Sequence, residues 1–408
     1  MKSRYAQLTR AELAVLVPEL LLIGHLTDRS GMPWCISAFG QDVMTQIAIE
    51  EWAAASPVYT KRMQRALRFE GNDVPTIFKG MQLDVGAPPQ FMDFRYSVQD
   101  RWHGEFHLNH CGALLDVEPM GPDYVRAMCH DIEDPTFRAT AVATNPRAQM
   151  RPLHRPPRLT VDRHPHCAWT VIIDESYPEA EAVPVLATLQ NSRVAELVLA
   201  EIDPAQAGAG DYSGPLVSDI DFAGFSHSAL VRIADEVCIQ MHLLALSFQH
   251  AVRQRATSED QVSDIVTRQL TGIGGIAAER IMRALGLPAD ESGALRVLEL
   301  HPLLNPAAYV TAHLGDGVLS LAPSPAHEDN AWIVRCGPGA VKPLQSIVQC
   351  ISPILDVEVS GTSESWALRV ICRDMPAKEL GEVAVTRLSG GASFVFQTRR
   401  SIPLTPVP

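Results

Sequence analysis

The segment KRMQRAL at Lys61–Leu67 matches the segment ERIMRAL at Glu279–Leu285 without a gap. A shift of 218 residues relates the two segments, and apolar positions at helical spacing agree at this shift over about 30 residues. Four further pairs match at the same shift: Asp73 with Glu291, Ile77 with Leu295, Pro88 with Pro306, and Phe91 with Tyr309. The agreement predicts two tandem copies of one domain.

More distant matches extend the repeat toward the end of each copy. Gly121-Pro122 matches Gly337-Pro338 at a shift of 216 residues, and Trp169 matches Trp366 at a shift of 197 residues. Between the copies, residues 203–221 are rich in Gly, Ala, Pro and Asp and lack a periodic apolar face, which is typical of an exposed linker. The sequence therefore predicts a first copy at residues 1–203, a linker at 204–223 and a second copy at 224–408.

Each copy is expected to begin with helices and to continue as a small antiparallel sheet with a packed helix. Apolar periodicity predicts helices in the first copy at Arg10–Thr27, Ile36–Ala54, Pro57–Phe69 and Val74–Leu83. After Pro88 the pattern alternates, as strands do. The remaining expected elements are a helix over Pro122–Ala143 and strands at Gln149–Leu153, Ala168–Ile173 and Ala195–Ile202. The predicted fold class is α+β.

Composition and charge limit the classes of protein to which the chain can belong. A chain of 408 residues, 46% hydrophobic and 20% charged, is long enough for two globular domains. Its formal charge of −13 opposes binding to nucleic acid or anionic lipid. The apolar run Leu13–Leu26 contains Pro18 and Glu19 and is shorter than the roughly 20 residues of a membrane span. We expect a cytoplasmic protein that acts on a small molecule, with no nucleic-acid or membrane partner.

Three of the eight cysteines lie in segments that are also rich in histidine. These segments are HLNHC at His107–Cys111, CHDIED at Cys129–Asp134 and HPHC at His164–Cys167. Since no CxxC pair occurs, reduced thiols are expected rather than a disulfide scaffold. Thiolates and imidazoles are common ligands of Zn²⁺ and Fe²⁺. The sequence predicts a divalent metal, zinc or iron, with these candidate ligands: Cys111, Cys129, Cys167, His107 and His110.

The repeat provides a comparison for the three cysteines. At the shifts above, Cys111 falls near Asp329, Cys129 on Gln345 and Cys167 on Glu364. A thiol that only fills core space behaves as a small apolar group, so apolar replacements would be expected there. The polar replacements indicate a shared site in the first copy, and unrelated core or surface cysteines are the alternative.

If the metal is catalytic, it would lower the pKa of a bound water that attacks an sp² carbon. His130, Asp131 and Glu133 follow Cys129 on the same helix and are the candidates for a fourth ligand or a general base. Another possibility is nucleophilic catalysis by Cys129, activated by His130 or His107.

A set of motifs between residues 36 and 175 resembles the L-2-amino-thiazoline-4-carboxylic acid hydrolase-like family. The motifs are Ala38-Phe39-Gly40 followed by Trp52, then Cys111, a Gly before the helix that bears Cys129, ATAVATNP at Ala139–Pro146, Pro156-Pro157, and CAW at Cys167–Trp169. The resemblance implies a hydrolase that opens a C–N bond in a small cyclic amidine or thiazoline.

The cysteine arrangement also looks like that of the zinc-containing sensor domains called four-vinyl-reductase-like, in which the metal is structural. This likeness implies a different class: a non-enzymatic small-molecule-binding or sensor module. Four protein ligands would close the metal site and favour this class, whereas an open position would favour the hydrolase. The two copies are expected to pack as an internal pseudo-dimer, with homo-oligomer formation as a further expectation.

Overall fold

A computed structural model describes residues 2–397; residues 398–408, at the end of the predicted second copy, lie outside the described range. The first half (residues 2–203) contains these helices: α1 Arg10–Phe39, α2 Gln41–Ala66, α3 Val74–Met81, α4 Gly112–Val117, α5 Pro122–Arg126, α6 Glu133–Val142, α7 Val185–Gln190 and α8 Arg193–Glu196. The second half (residues 224–397) contains α9 His227–Arg253, α10 Glu259–Leu285, α11 Glu291–Leu300, α12 Pro325–Glu328, α13 Lys342–Ile351, α14 Gly381–Thr386 and α15 Gly390–Ser393.

Each half also contains one four-stranded antiparallel sheet. The first sheet consists of β1 Met92–Val98, β2 His103–Cys111, β3 Ala148–His154 and β4 Cys167–Ile173. The second consists of β5 Ala312–Gly315, β6 Val318–Leu321, β7 Leu355–Gly361 and β8 Trp366–Cys372. The strand orders are β1-β2-β4-β3 and β5-β6-β8-β7, so both halves have the same sheet topology. The expected α+β class is confirmed.

The long helices differ from the expected ones in length. α1 continues through Pro33 to Phe39, and α2 continues through Pro57, so the helices predicted on either side of Pro57 are one helix. Tertiary packing offsets the hydrogen bond that an interior proline loses. The strand predicted at Ala195–Ile202 is wrong, because that stretch contains the end of α8 followed by irregular backbone.

Corresponding helices of the two halves begin with similar caps. The Thr9 hydroxyl accepts from the backbone N–H of Glu12 at the start of α1, and Ser226 caps α9 in the same way. Asp73 and Asp290 cap α3 and α11. The caps therefore match Asp73 with Asp290, one residue before the Glu291 expected from the sequence.

The helices of the two halves interleave around a common core. α1 packs on both α9 and α10, and α2 packs on α9. Two buried ion pairs bind the halves together: Arg62 with Glu236, and Arg280 with Glu19. The core is thus continuous between the halves.

The segment between the halves lacks helix and strand over residues 203–221, as expected, but it is not a free linker. Tyr212 is buried, and its backbone N–H donates to the carbonyl of Leu67 over 2.8 Å. The Lys79 ammonium donates to the carbonyls of Tyr212 and Gly214. These contacts fix the segment against the C-terminal end of α2 and against α3.

The second half is closely packed where α13 and α14 meet α10. A Cβ atom at Gly275 of α10 would lie 2.7 Å from Cys350 Sγ and 2.7 Å from a methyl carbon of Val383. Only glycine permits this approach. The glycines of Leu270–Ile281 thus allow α10 to pack closely against α13 and α14.

Within residues 2–397, no helix combines the length and the apolar character required to cross a bilayer.

Candidate functional site

The first half contains a cavity of about 460 Å³. α1 and α2 form one wall, and the segment from α4 to α6 forms the opposite wall together with β1. Val385, Thr386, Leu388 and Ser389, at the end of α14 and just after it, complete the lining from the second half. Apolar side chains dominate the lining, and a few ionisable groups interrupt it, a composition typical of small-molecule sites.

Two buried carboxyl groups face each other beside the cavity. Asp28 of α1 lines it, and Glu51 of α2 is completely buried behind Asp28. Burial raises the pKa of both groups, and the proximity of Asp28 raises the pKa of Glu51 further. Both carboxyl oxygens of Glu51 and Oδ1 of Asp28 are buried without a hydrogen-bond partner within the described chain. Two buried carboxyl groups this close to each other favour a state in which at least one of them is protonated.

The Arg29 guanidinium is the cation of the site. Its side chain is 14% exposed, and its Nε lies 3.7 Å from Asp28 Oδ2, which is longer than a hydrogen bond. Its Nη2 contacts the Met128 sulfur at 3.3 Å, and its Nε has no hydrogen-bond partner. Within the described chain, no oxygen accepts a hydrogen bond from this guanidinium. Its donors are therefore available to a ligand.

His25 lies one helical turn before Arg29 and also lines the cavity. Its ring packs edge-on against Phe91, with 5.5 Å between centroids. Neither ring nitrogen has a hydrogen-bond partner, although only 4% of the residue is exposed. Burial, aided by the charge of Arg29, lowers the pKa of His25 to about 3. The ring is therefore neutral and offers one donor and one acceptor to the cavity.

Glu133 enters the cavity from the opposite wall. It begins α6 directly after a π-helical segment, Ala127–Ile132, and such segments occur frequently at functional sites. Its Oε2 has no hydrogen-bond partner, and burial raises the pKa of its carboxyl to about 8. Of the three predicted acid–base residues, Glu133 is the one that lines the cavity.

The other two predicted acid–base residues point elsewhere. His130 Nε2 lies 2.6 Å from the carbonyl oxygen of Pro156, and Asp131 is exposed. Neither His130 nor Asp131 lines the cavity.

Asp84, a further carboxyl group on the cavity wall, ends a chain of hydroxyl groups. The Tyr59 hydroxyl donates to Asp84 Oδ1 over 2.9 Å, and the Ser56 hydroxyl lies 2.9 Å from that of Tyr59. Asp84 Oδ1 also accepts from the Gly86 backbone N–H. Burial raises the pKa of Asp84 to about 6 despite these bonds. The chain fixes Asp84 at the cavity from the side of α2.

Cys111, Cys129 and Cys167 lie near one another behind Glu133. All three are buried, and burial raises the pKa of each thiol, that of Cys111 to about 12. Cys111 caps α4 through its sulfur, which accepts from the Leu114 backbone N–H. Cys167 begins β4 opposite Leu108. The sequence thus identified three neighbouring thiols, and the fold places them under the cavity wall.

The histidines predicted as metal ligands do not complete a site with these thiols. His107 alternates with the buried Phe106 and Leu108 on β2, so its side chain is on the outer face of the sheet. His110 packs near His166, with 6.0 Å between ring centroids. Among the described residues, no group of three or more His, Cys, Asp or Glu side chains has an arrangement that could hold a metal ion. The residues therefore do not fit the expected zinc or iron centre.

The two halves differ at the charged groups of the cavity. Helix caps match α1 with α9, which makes His25 equivalent to His242, and the matching segments Lys61–Leu67 and Glu279–Leu285 align α2 with α10. The equivalents of the charged cluster are mostly apolar: Ala245 for Asp28, Leu246 for Arg29, Gln269 for Glu51 and Leu270 for Trp52. His242 Nε2 lies 2.9 Å from the Asn305 carbonyl oxygen, whereas His25 has no such partner. The second half folds without the cluster, so the fold alone does not require it.

Sequence reasoning missed His25, Asp28, Arg29 and Glu51, although one signal was available. The charged pair Asp28-Arg29 lies in a largely apolar stretch of α1, and the matching residues of α9, Ala245 and Leu246, are both apolar. The alignment of Cys111, Cys129 and Cys167 with polar residues of the second half was a weaker signal of the site. Cys111 and Ser324 are both caps after a hairpin, and Cys167 and Trp366 both begin the last strand of their sheet. The structure therefore pairs Cys111 with Ser324 and Cys167 with Trp366. The sequence alignment had instead paired these cysteines with Asp329 and Glu364.

Comparisons of the chain with protein-family models, with curated proteins and with solved structures find no significant match.

Proposed function

We propose that this protein binds a small, mainly apolar organic molecule in the cavity of its first half. One observation carries the proposal: polar atoms of His25, Arg29 and Glu133 without hydrogen-bond partners line one apolar cavity. Buried polar groups are normally satisfied, and those that are not need an explanation. A ligand that supplies the partners provides it. This is the binding class that the sequence left open beside the hydrolase.

We also infer that the chain arose by tandem duplication and that one copy kept the site. The same sheet order, the matching caps and the reciprocal ion pairs of Arg62 and Arg280 support this inference. In the second half, α13 packs closely on α10 through Gly275. The second half then supplies α14, which covers the cavity of the first.

Hydrolysis is the second candidate, and the environment of Glu133 favours it. A carboxyl group with a pKa of about 8 is largely protonated at neutral pH and suits general acid–base work. Water would add to an sp² carbon, Glu133 would protonate the departing nitrogen, and the C–N bond would break as the water proton returns to Glu133. The resemblance to thiazoline carboxylic acid hydrolases motivates the substrate, and the metal is not part of this step.

A ligand screen on the full chain tests the binding proposal. Thermal shifts would be measured with a panel of small acids, amides, amines and cyclic amidines, on wild type and on Thr140→Trp. Thr140 lines the cavity, so the larger side chain should fill it and abolish the shifts. Thr257→Trp, at an exposed position, is the matched control and should keep them. Shifts that persist in Thr140→Trp would place the ligand elsewhere.

Turnover is tested separately with the ligands that bind. Mass spectrometry would follow the gain of one water by thiazoline and cyclic amidine acids. Wild type should form the ring-opened product, whereas Glu133→Gln should bind the same molecules without converting them. If wild type binds these molecules without converting them, the hydrolase candidate is rejected and the binding or sensor class is retained.

A further inference from the structure

We infer that the ligand of the cavity is an apolar organic acid whose carboxylate binds the guanidinium of Arg29. The inference rests on the binding function proposed above and adds the chemical class of the ligand. It follows from four features of the cavity: the free donors of Arg29, the 3.7 Å separation of Asp28 from Arg29, the scarcity of other cations and the apolar lining.

The first feature is the state of Arg29. A guanidinium carries five N–H donors and stays charged in proteins. In the described chain its only hydrogen-bond contact is the weak one to the Met128 sulfur. A mostly buried cation without an oxygen partner is costly, because it has lost water without gaining acceptors. An anionic group of the ligand would remove this cost.

The second feature explains why Asp28 does not already fill this role. The Asp28 carboxyl lies beside Arg29, but its Oδ1 is buried without a hydrogen-bond partner. The 3.7 Å separation from Arg29 Nε is too long for a hydrogen bond. Asp28 therefore gives Arg29 nearby negative charge but leaves its N–H groups open.

The third feature favours a carboxylate over a phosphate group. A planar guanidinium matches a carboxylate through two parallel hydrogen bonds. A phosphate dianion needs more donors, and the other ionisable groups on the wall near Arg29 are carboxyls and the neutral His25. Asp28, Asp84 and Glu133 would repel a second negative charge wherever they are ionised.

The fourth feature gives the body of the ligand. The residues that line the space include Met32, Ile36, Met92, Phe94, Met128 and Phe137. Methionine side chains adapt to different apolar shapes, and aromatic rings provide flat contacts. The lining suits an alkyl or aryl group of modest size.

The internal comparison supports a ligand role for Arg29. Its equivalent in the second half is Leu246, a buried residue on α9. A guanidinium held for the stability of the helix pair would be expected in both halves. It occurs in the half that has the cavity.

Isothermal titration on the full chain tests the inference with matched probes. The acids 4-phenylbutyrate and octanoate would be compared with their amides and with octyl phosphate. Wild type is expected to bind each acid at least about 10-fold more tightly than its amide, since a charged hydrogen-bonded pair is lost in the amide. Octanoate should bind more tightly than octyl phosphate.

Variants then test whether Arg29 causes the preference for acids over amides. Arg29→Met should bind acid and amide equally, Arg29→Lys should keep part of the preference, and Arg193→Met on the surface should match wild type. Equal binding of acids and amides by wild type, or tighter binding of octyl phosphate, would overturn the inference while the binding function stands. If Arg29→Met fails to fold, the wild-type comparison still decides. Absence of binding by every probe would count against both the inference and the binding function, whereas thermal shifts with other molecules in the earlier screen would retain the latter.

Discussion

Arg62 of α2 and Glu236 of α9 form a buried ion pair with 2.9 Å between Nε and Oε2, and this pair joins the two halves of the chain. Arg280 of α10 makes the reciprocal pair with Glu19 of α1 over 2.6 Å. Each arginine also donates to backbone carbonyls in and just after the last short helix of its own half, those of Ala195 and Leu197 for Arg62. Each half therefore supplies charge that the other half must neutralise.

Removal of one partner of this pair should destabilise the whole protein. Arg62→Met leaves the Glu236 carboxylate buried with Arg232 as its remaining partner. Loss of one member of a buried pair costs about 3–5 kcal/mol. Urea unfolding should show this loss in the free energy of unfolding. Arg193→Met removes an exposed pair with Glu328 and should change it by less than about 1 kcal/mol. Similar losses in the two variants would mean that the buried pair contributes no more than a surface one.

The halves should not fold independently. α1 buries its apolar side chains against α9 and α10, which both belong to the second half. A fragment of residues 1–203 would expose this surface and should be aggregated or unfolded by circular dichroism and size-exclusion chromatography. Co-expression with residues 204–408 should restore a soluble complex. A soluble monomeric fragment as stable as the full chain would show that the interleaved packing is dispensable.

His25 should make the protein sensitive to acid. Its pKa is lowered to about 3 in the folded state, against an ordinary value near 6.5 in the unfolded chain. Between these values the unfolded chain binds the extra proton, so the free energy of unfolding rises with pH up to about 6.5 and is lost as pH falls. At pH 5 the loss is about 2 kcal/mol at most.

Comparison of His25→Phe with wild type isolates this contribution. The variant should show a shallower dependence of unfolding free energy on pH between 4.5 and 6.5 in urea titrations. His313→Phe, at an exposed position on β5, should keep the wild-type slope. If His25→Phe has the same slope as wild type, the imidazole is not held neutral by burial.

The order of elements could be predicted from the sequence because periodicity is local, whereas the site could not. Lys61–Leu67 marks the end of α2, and the matching segment Glu279–Leu285 marks the end of α10. Pro57 was misread as a break, since the packing that keeps α2 continuous is tertiary. Asp28 and Glu51 lie on different helices, and their contact depends on how α1 meets α2. The three thiols were predicted to converge, but their depth beneath the surface depends on the sheet and on the helix above it.

Close packing of α10 in the second half should not tolerate a larger side chain at Gly275. Gly275→Val would place methyl groups against Cys350 and Val383, where a Cβ atom alone would already be 2.7 Å from each. Overpacking of this kind typically costs about 1–3 kcal/mol, measured as a lower midpoint of thermal or urea unfolding. Gly339→Ala has open space at the new Cβ and should be nearly neutral. Equal stability of Gly275→Val and wild type would show that α13 can move away freely.

The three thiols of the first half should be inert in the native protein. Reaction with a disulfide reagent requires a thiolate, and burial raises the pKa of Cys111, Cys129 and Cys167. Cys372 is exposed, so it should react first, and Cys372→Ser should remove this fast phase. The buried thiols should react only in denaturant.

A mercurial reagent applied to the same samples tests for bound metal, since zinc or iron held by thiolates would be released when the reagent binds the thiols. We expect no stoichiometric release, because the described side chains do not form a metal-holding group. Release of one equivalent from wild type, and none from the triple Cys→Ala variant, would instead establish the metal centre that the sequence predicted.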